Sequence, residues 1–360
     1  MRLLMLSGDP NFSASTAGAP GGVLHRHLAY AEALAARAPG ARLLVAAPGP
    51  TARVEHPHLT LASGAALRRL LLAPIDAVTA EAPWDLRALA IARARGVPLL
   101  GQLHFDPFDP AWAGHPANRL RNLLARTSLR AATRVRVMNA ETAALLAAHW
   151  RMPRARIWVA PVPVSPLPLA PLPECPPARG EMVVGAMRLA SDRAPMLWLD
   201  AALRIAAHRP AARFVLAGAG PFAERLTRAA ARAGLALEMP GALGRAALAR
   251  RFAEARLLLH AAPHEAFGRV LVEAQMAGLP VVAFATAGAR AVVRHDRTGL
   301  LVQGRDPASL AEAAVSLLAA PDRAAALGSE AVRLATQNFA PEAMTDRVVD
   351  FWLGHAPDPA

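Results

Sequence analysis

The chain contains no lysine. All 40 of its basic residues are arginine, set against 27 acidic ones for a formal net charge of +13. A wholly arginine-borne charge beside abundant Ala, Pro and Gly points to a coding bias toward G and C rather than to a surface selected for nucleic acid. Aromatic residues, which nucleic-acid binders interleave with their arginines as stacking platforms, make up only 5% of the chain. Nucleic acid is therefore not an expected partner. Phosphorylated small molecules or an anionic membrane surface suit the charge better. The single cysteine, Cys175, excludes an internal disulfide and a multi-cysteine zinc site. No uninterrupted apolar run reaches the roughly 18 residues of a spanning helix. The opening "MRLLMLSGDP" is broken too early by Ser, Gly, Asp and Pro for a signal peptide, and reads as a first β-strand. The cytoplasm is the default location.

What is present is core material. The chain has 360 residues, 54% of them hydrophobic, enough for two ordinary domains. Short apolar runs bounded by turn residues alternate with longer Ala/Leu/Arg stretches of helical character. In the first half they predict strands at 2–6, 42–47, 75–80, 97–102, 134–138 and 156–160. In the second half they predict strands at 182–186, 213–217, 235–239, 256–260, 280–284 and 300–302. Apolar strands alternating with helices imply parallel sheets covered on both faces. Between the halves, "PVPVSPLPLAPLPECPP" (161–177) carries eight prolines in seventeen residues, the composition of a semi-rigid spacer. The expected plan is a first domain at 1–164, a linker at 165–180 and a second domain at 181–338. A last helix around 341–354 follows a break at Asn338–Pro341 and is able to complete the first domain.

Open α/β sheets bind ligands beyond the C-terminal ends of their strands, and the chemistry-bearing residues gather there. "HEAFGRVLVEA" sets Glu265 and Glu273 eight positions apart around Phe267-Gly268. A helix beginning near Gly268 would offer unpartnered N–H groups and the positive end of its dipole between two carboxylates. Such a start can hold a phosphate, and each carboxylate can accept from hydroxyls. The pattern implies a ligand with hydroxyls, then phosphate, then hydroxyls. After the first strand of the second half, Arg188 and Arg193 in "GAMRLASDRA" can clamp a diphosphate from two directions. Gly21-Gly22 after the first strand of the chain lets backbone approach a ligand, and His104 ends the fourth predicted strand. "LAGAGPFAERL" also fits a short dinucleotide fingerprint through Gly218, Gly220 and Ala223, with Glu238 where a ribose acid would stand. That alternative leaves Glu265 and Glu273 unexplained. His25/His27 and His56/His58 are i, i+2 pairs without matching carboxylates, and "DPFD" (106–109) is not an Asp-x-Asp metal motif, so no metal site is expected.

Together these segments resemble family 4 of the retaining glycosyltransferases. The family's Glu-x7-Glu signature, E-[GS]-F-G-x-V-x-x-E-A-x-x-x-G-x-P-V-V-A, is matched by "EAFGRVLVEAQMAGLPVVA" from Glu265 to Ala283. "GAMRLASDRA" is similar to its G-R-L-x-x-x-K-G and "LAGAGP" to its G-x-G-P turn. "TGLLVQGRDPASLAEAAVSLL" is similar to its G-x-L-V segment and Asp-Pro helix. "GGVLHRHLAYAEALA" and His104 occupy the expected places in the first half. The resemblance implies the GT-B fold, two Rossmann-like doubly wound domains facing a central cleft. It implies sugar transfer from a nucleotide-diphosphate sugar to a hydroxyl acceptor, in polysaccharide or glycolipid biosynthesis, with no metal or other cofactor. Glu265 would contact the donor sugar, and the amides of Phe267, Gly268, Arg269, Val270 and Leu271 the sugar and diphosphate. Glu273 would bind the ribose, Arg188 and Arg193 would neutralise the leaving diphosphate, Gly21 and Gly22 would approach the phosphates, and His104 would contact the sugar. Two departures stand out. Arg193 replaces the usual Lys, and "ATAGARAVV" (285–293) has Ala287 and Ala291 where the family's G-G-x-P-E turn has its first Gly and its Glu. Other readings are a catalytically silent binding protein on the same frame and an NAD(P)-dependent oxidoreductase. The segment 119–136 carries six arginines, and Arg119, Arg126 and Arg130 would share one helix face. That face suits a peripheral position at the inner face of an anionic membrane, beside a sugar or lipid-linked acceptor.

Overall fold

The computed structural model describes residues 1–7, 22–168 and 180–355. Gly21, Cys175 and most of the Pro-rich segment lie outside the described residues. The chain divides into two compact units, Met1–Pro163 with the segment from Glu342 onward, and Val164–Pro341.

The first unit is built on eight strands: β1 (Arg2–Leu6), β2 (Arg42–Ala47), β3 (Ala52–His56), β4 (Leu59–Ser63), β5 (Ala77–Ala80), β6 (Leu99–Leu103), β7 (Arg134–Val137) and β8 (Ile157–Val159). Their order across the sheet is β3-β4-β2-β1-β5-β6-β7-β8. All pairs are parallel except β3–β4. The sequence pattern did not anticipate β3 and β4. They form a hairpin whose register runs from Ala52↔Ser63 to His56↔Leu59, turning at Pro57-His58. Pro57 interrupts the apolar run there and hid two strands that are separately short. Strands β1 and β2 occupy the residues expected, β7 begins where expected and ends one residue early, and β5, β6 and β8 begin one or two residues late.

The second unit holds β9 (Met182–Ala186), β10 (Arg213–Ala217), β11 (Leu237–Glu238), β12 (Leu257–His260), β13 (Val281–Phe284) and β14 (Gly299–Val302). They are ordered β11-β10-β9-β12-β13-β14 and pair in parallel throughout. Both sheets are doubly wound. The order reverses between β1 and β5 in one unit and between β9 and β12 in the other, and ligands of such folds bind beyond the strand ends at those points. Side-chain caps start several helices: Asn139 accepts from the Thr142 amide at 2.7 Å, Thr286 from Ala289 at 3.1 Å, and Asp306 from Ala308 and Ser309 at 3.0 and 3.3 Å.

One charged residue of the basic 119–136 segment is not on the surface. Arg136 lies within β7, 1% exposed, opposite Gln102 of β6 in the register. Its Nη1 donates to Gln102 Oε1 at 2.6 Å and its Nε to the Ala160 carbonyl at 2.5 Å, while Gln102 Nε2 donates to Thr79 Oγ1 at 2.9 Å. A buried guanidinium persists only where such partners surround it.

The helix Pro341–Leu353 packs into the first unit. Val348, Val349, Phe351 and Trp352 join Leu3, Met5, Tyr30 and Trp158 in one apolar cluster. The Trp352 ring meets Tyr30 edge-on at 5.1 Å, and Arg134 Nη2 donates to the Trp352 carbonyl at 2.9 Å. Replacing a buried indole by a methyl group leaves a cavity as well as forfeiting burial. We expect Trp352→Ala to cost the first unit about 3–5 kcal/mol in urea unfolding, with the transition of the second unit unmoved.

Candidate active site

The second unit gathers its chemistry at the β9/β12 reversal. Beyond β9 the chain makes a 3-10 turn, Ser191–Arg193, and then enters the helix Pro195–His208. Asp192 draws the two arginines of this turn together: Arg188 Nη2 donates to Asp192 Oδ2 at 2.6 Å, and Arg193 Nε stands 3.7 Å from the same oxygen. Arg193 Nη1 also reaches across to Glu265, beyond β12, and donates to its Oε2 at 2.6 Å. His260, the last residue of β12 and 3% exposed, places Nε2 3.5 Å from that oxygen. Burial by itself would raise the Glu265 carboxyl. The adjacent His260 ring and the charge of Arg193 outweigh it and hold the group down to about 2.

Gly268 opens the helix Arg269–Met276 with φ 81° and ψ 64°, a left-handed conformation that suits glycine. A Cβ there would stand 2.7 Å from the Leu271 side chain. The Leu271 amide donates to the Gly268 carbonyl at 2.9 Å. It is therefore engaged in the first turn, which narrows the expected set of ligand-facing amides to those of Phe267, Gly268, Arg269 and Val270. Phe267 is buried and stacks edge-on to Phe339 at 5.8 Å, anchoring the loop. Glu273 lies inside the helix, 9% exposed, and burial raises its carboxyl despite the charges of Arg269 and Arg245. Arg245 Nη1 is 3.7 Å from Glu273 Oε1, and its other terminal nitrogen, Nη2, donates to the carbonyls of Ser165 and Pro166.

The departure at 285–293 has a structural reading. Ala287–Val292 is a helix capped by Thr286, and the retained Gly288 donates its amide to the Glu265 carbonyl at 2.8 Å. A Cβ on Gly288 would fall 2.5 Å from the backbone of residues 265–267. The turn thus keeps the glycine that supports the Glu265 loop while lacking its neighbour. At the dinucleotide-like segment, the Gly218 amide donates to the Gly241 carbonyl, and the carbonyls of Ala219 and Gly220 accept from Leu189 and Ala223. Glu238 is ion-paired with Arg251. Those glycines serve contacts between loops.

In the first unit, Glu81 follows β5 and receives Ser7 Oγ at 2.7 Å and Arg26 Nη2 at 2.8 Å, with His27 Nε2 at 3.8 Å. Burial would raise this carboxyl; His27 and Arg26 hold it far below the usual carboxylate range. His104 follows β6. Burial, reinforced by the charge of Arg136, lowers its imidazole to about 3, so it is neutral near pH 7. Its buried Nε2 has no hydrogen-bond partner among the described residues. Gly22 begins the helix Gly22–Arg37. Sequence reasoning missed His260, Asp192 and Glu81. His260 alone left a signal, a histidine closing an otherwise apolar strand just ahead of the acidic motif. Among the described residues no group of three or more His, Cys, Asp or Glu side chains could hold a metal ion.

Ala194, next to Arg193, adopts φ 43° and ψ 56°. A left-handed residue with a Cβ costs about 1–2 kcal/mol, whereas glycine forfeits about 0.4–1 kcal/mol through its freer unfolded chain. We expect Ala194→Gly to stabilise the second unit by roughly 0.5–1 kcal/mol, read as a higher midpoint of its urea transition.

Residues 177–333 match the family described as Glycosyl transferases group 1, and residues 16–163 match the Glycosyl transferase 4-like domain. A D-inositol 3-phosphate glycosyltransferase of Thermobispora bispora is 35% identical over 172 residues, 45% of this chain and 40% of that protein. A GDP-mannose-dependent alpha-(1-6)-phosphatidylinositol monomannoside mannosyltransferase of Mycobacterium tuberculosis is 34% identical over 152 residues, 40% of each chain. The matched stretch thus spans less than half the length of these curated relatives. Among solved structures, a sucrose-phosphate synthase of Thermosynechococcus elongatus superposes with a TM-score of 0.81 at 19% identity, over 98% of this chain and 99% of that one. HepE of Anabaena, in complex with UDP and glucose, does so with a TM-score of 0.73 at 20% identity, over 99% and 100%. Two parallel-sheet α/β units of this kind make a GT-B fold. The chain belongs to glycosyltransferase family 4, the group 1 glycosyl transferases.

Proposed function

We propose that the protein is a retaining hexosyltransferase that moves a sugar from a nucleotide-diphosphate sugar to a hydroxyl acceptor. The observation that carries this reading is the pair of largely buried carboxylates, Glu265 and Glu273, on either side of a helix start, with Arg193 already on Glu265. Glu265 accepts from hydroxyls of the donor sugar. The amides of Phe267 to Val270 and the arginines Arg188 and Arg193 take the diphosphate, and Glu273 takes the ribose hydroxyls. As the glycosyl bond breaks toward an oxocarbenium-like state, negative charge grows on the diphosphate, and fixed guanidinium groups with a helix N-terminus stabilise it where it forms. These groups supply the positive charge, so the reading assigns no metal. Attack comes from the same face as the departing phosphate, which takes the acceptor's proton. In the same reading the first unit serves the acceptor, and His104 hydrogen-bonds the sugar through a neutral imidazole.

The relatives named for inositol phosphate and phosphatidylinositol mannoside support an acceptor that carries phosphate or lipid. A surface of the first unit supports a peripheral membrane position. The helix Pro116–Ala131 exposes Arg119, Arg126 and Arg130 alongside Leu120 and Leu123, which are 58% and 61% exposed. Among the described residues no helix is long and apolar enough to cross a membrane. Basic side chains around protruding leucines suit the headgroup region of an anionic bilayer. We expect replacement of all three arginines by Ser to abolish co-sedimentation with phosphatidylglycerol vesicles. Unchanged binding would reject the membrane assignment.

The donor assignment is tested by thermal shift with UDP-, GDP- and ADP-sugars, using NADH and NADPH as controls. A bound donor raises the melting temperature by mass action. We expect one nucleotide sugar to stabilise the protein and Glu273→Ala to remove the effect. A shift with reduced nicotinamide alone would reveal an oxidoreductase. Donor binding without turnover would identify a binding protein on the same frame.

A further inference from the structure

Glu265 Oε2 has two neighbours able to carry positive charge, Arg193 at 2.6 Å and His260 at 3.5 Å. The donor reading gives Arg193 a second task, because the same guanidinium must meet the diphosphate. One guanidinium cannot neutralise both groups at full strength. As Arg193 turns to the phosphates, a carboxylate whose side chain is only 11% exposed loses its nearest cation while new negative charge arrives beside it. We propose that His260 is a positioning residue that takes up a proton from solvent as the donor binds and becomes the cationic partner of Glu265 in the loaded site. The inference rests on the donor reading above.

The helices Arg269–Met276 and Pro307–Leu318 pack on β12 and bring Arg269 with Glu273 and the exposed Glu312, and the role falls to His260 among these surroundings. The strands on either side of β12, β9 and β13, carry no titratable side chain. The helix Pro195–His208 presents the Trp198 indole, which donates to the Leu259 carbonyl at 3.0 Å, while its Asp200 and Arg204 pair with each other. Arg290 donates to the Ala285 carbonyl and Arg305 to that of Pro263. His264 follows in the loop, immediately before Glu265. Asp192 is bound to Arg188 and adjacent to Arg193, so it adds negative charge to the same network. Histidine is the side chain that gains or loses a proton between about pH 5 and 8, which makes its charge available on demand. Fixed between two strands, the ring also keeps the carboxylate aimed at the sugar after the arginine has left. The balance is simple: one imidazole and one solvent proton become one imidazolium per donor bound. Donor affinity must therefore fall as pH rises.

Isothermal titration calorimetry with UDP-glucose, GDP-mannose and ADP-glucose tests this, because a diphosphate esterified at both ends does not itself titrate near neutrality. Titrations in phosphate and in Tris at the same pH differ in heat by the protons exchanged. We expect wild-type protein to take up as much as about one proton, and its Kd to weaken by up to about tenfold per pH unit above neutrality. His260→Gln, which keeps a hydrogen bond but cannot be charged, should still bind while losing both the uptake and the slope. His260→Asn serves where the glutamine variant melts early in the absence of donor. Wild-type binding without proton uptake would overturn the assignment. So would uptake that persists in both variants, since the proton would then sit on another group. Absence of binding by all three nucleotide sugars would overturn the donor reading, and this inference with it.

Discussion

A carboxylate removed from water cannot stand alone. The second unit is organised around that constraint at Glu265, because loss of solvation favours the neutral acid and only nearby cations or strong donors restore the charge. The reversal of strand order brings the ends of β9 and β12 together, so that Arg193 and Glu265, far apart in sequence, share a short ion pair. The strained turn at Ala194 and the close seat of Gly288 against the Glu265 loop both follow from holding that pair in place. The site's geometry is thus a solution to an electrostatic problem before it is a solution to a catalytic one.

The first unit meets the same problem with the same parts. Glu81 leaves β5 as Glu265 leaves β12, each beyond the strand next to the point of reversal. Each is held ionised by an arginine and a buried histidine, Arg26 with His27 in one case and Arg193 with His260 in the other. Around Glu81 the partners come from the helix Gly22–Arg37, so the carboxylate ties that helix to the strand ends. Arg136 adds a third buried charge, whose Nε and Nη1 donate to a carbonyl and to an amide side chain.

Much of this architecture was legible in the residues. Runs such as "LLVAA" and "MVVGA" carry no charged or polar side chain and are bounded by turn formers, so their period and length left one assignment. The Glu265–Glu273 spacing was legible because a helix start fixes what lies between two such carboxylates. The hairpin at 52–63 was hidden by Pro57, which reads as a break and proves to be a turn. Arg136 could not be placed, because its charge favours the surface and only the cross-strand partner Gln102, 34 residues away, makes burial possible. His260 was passed over for a related reason. In a chain with 12 histidines, one more ring carries no message until the loop after it folds back to present an acid.

The helix Pro341–Leu353 gives the first unit a discontinuous sequence: its core is drawn from the beginning of the chain and from residues beyond 341. During synthesis the second unit, whose residues are contiguous, can close its core first. The first unit must wait with Leu3, Met5 and Tyr30 uncovered until the last helix emerges. A fragment ending at Pro163 would carry that open apolar face permanently. The core of the first unit is thus completed only after every residue of the second unit has been made, a consequence of one thirteen-residue helix and where it docks.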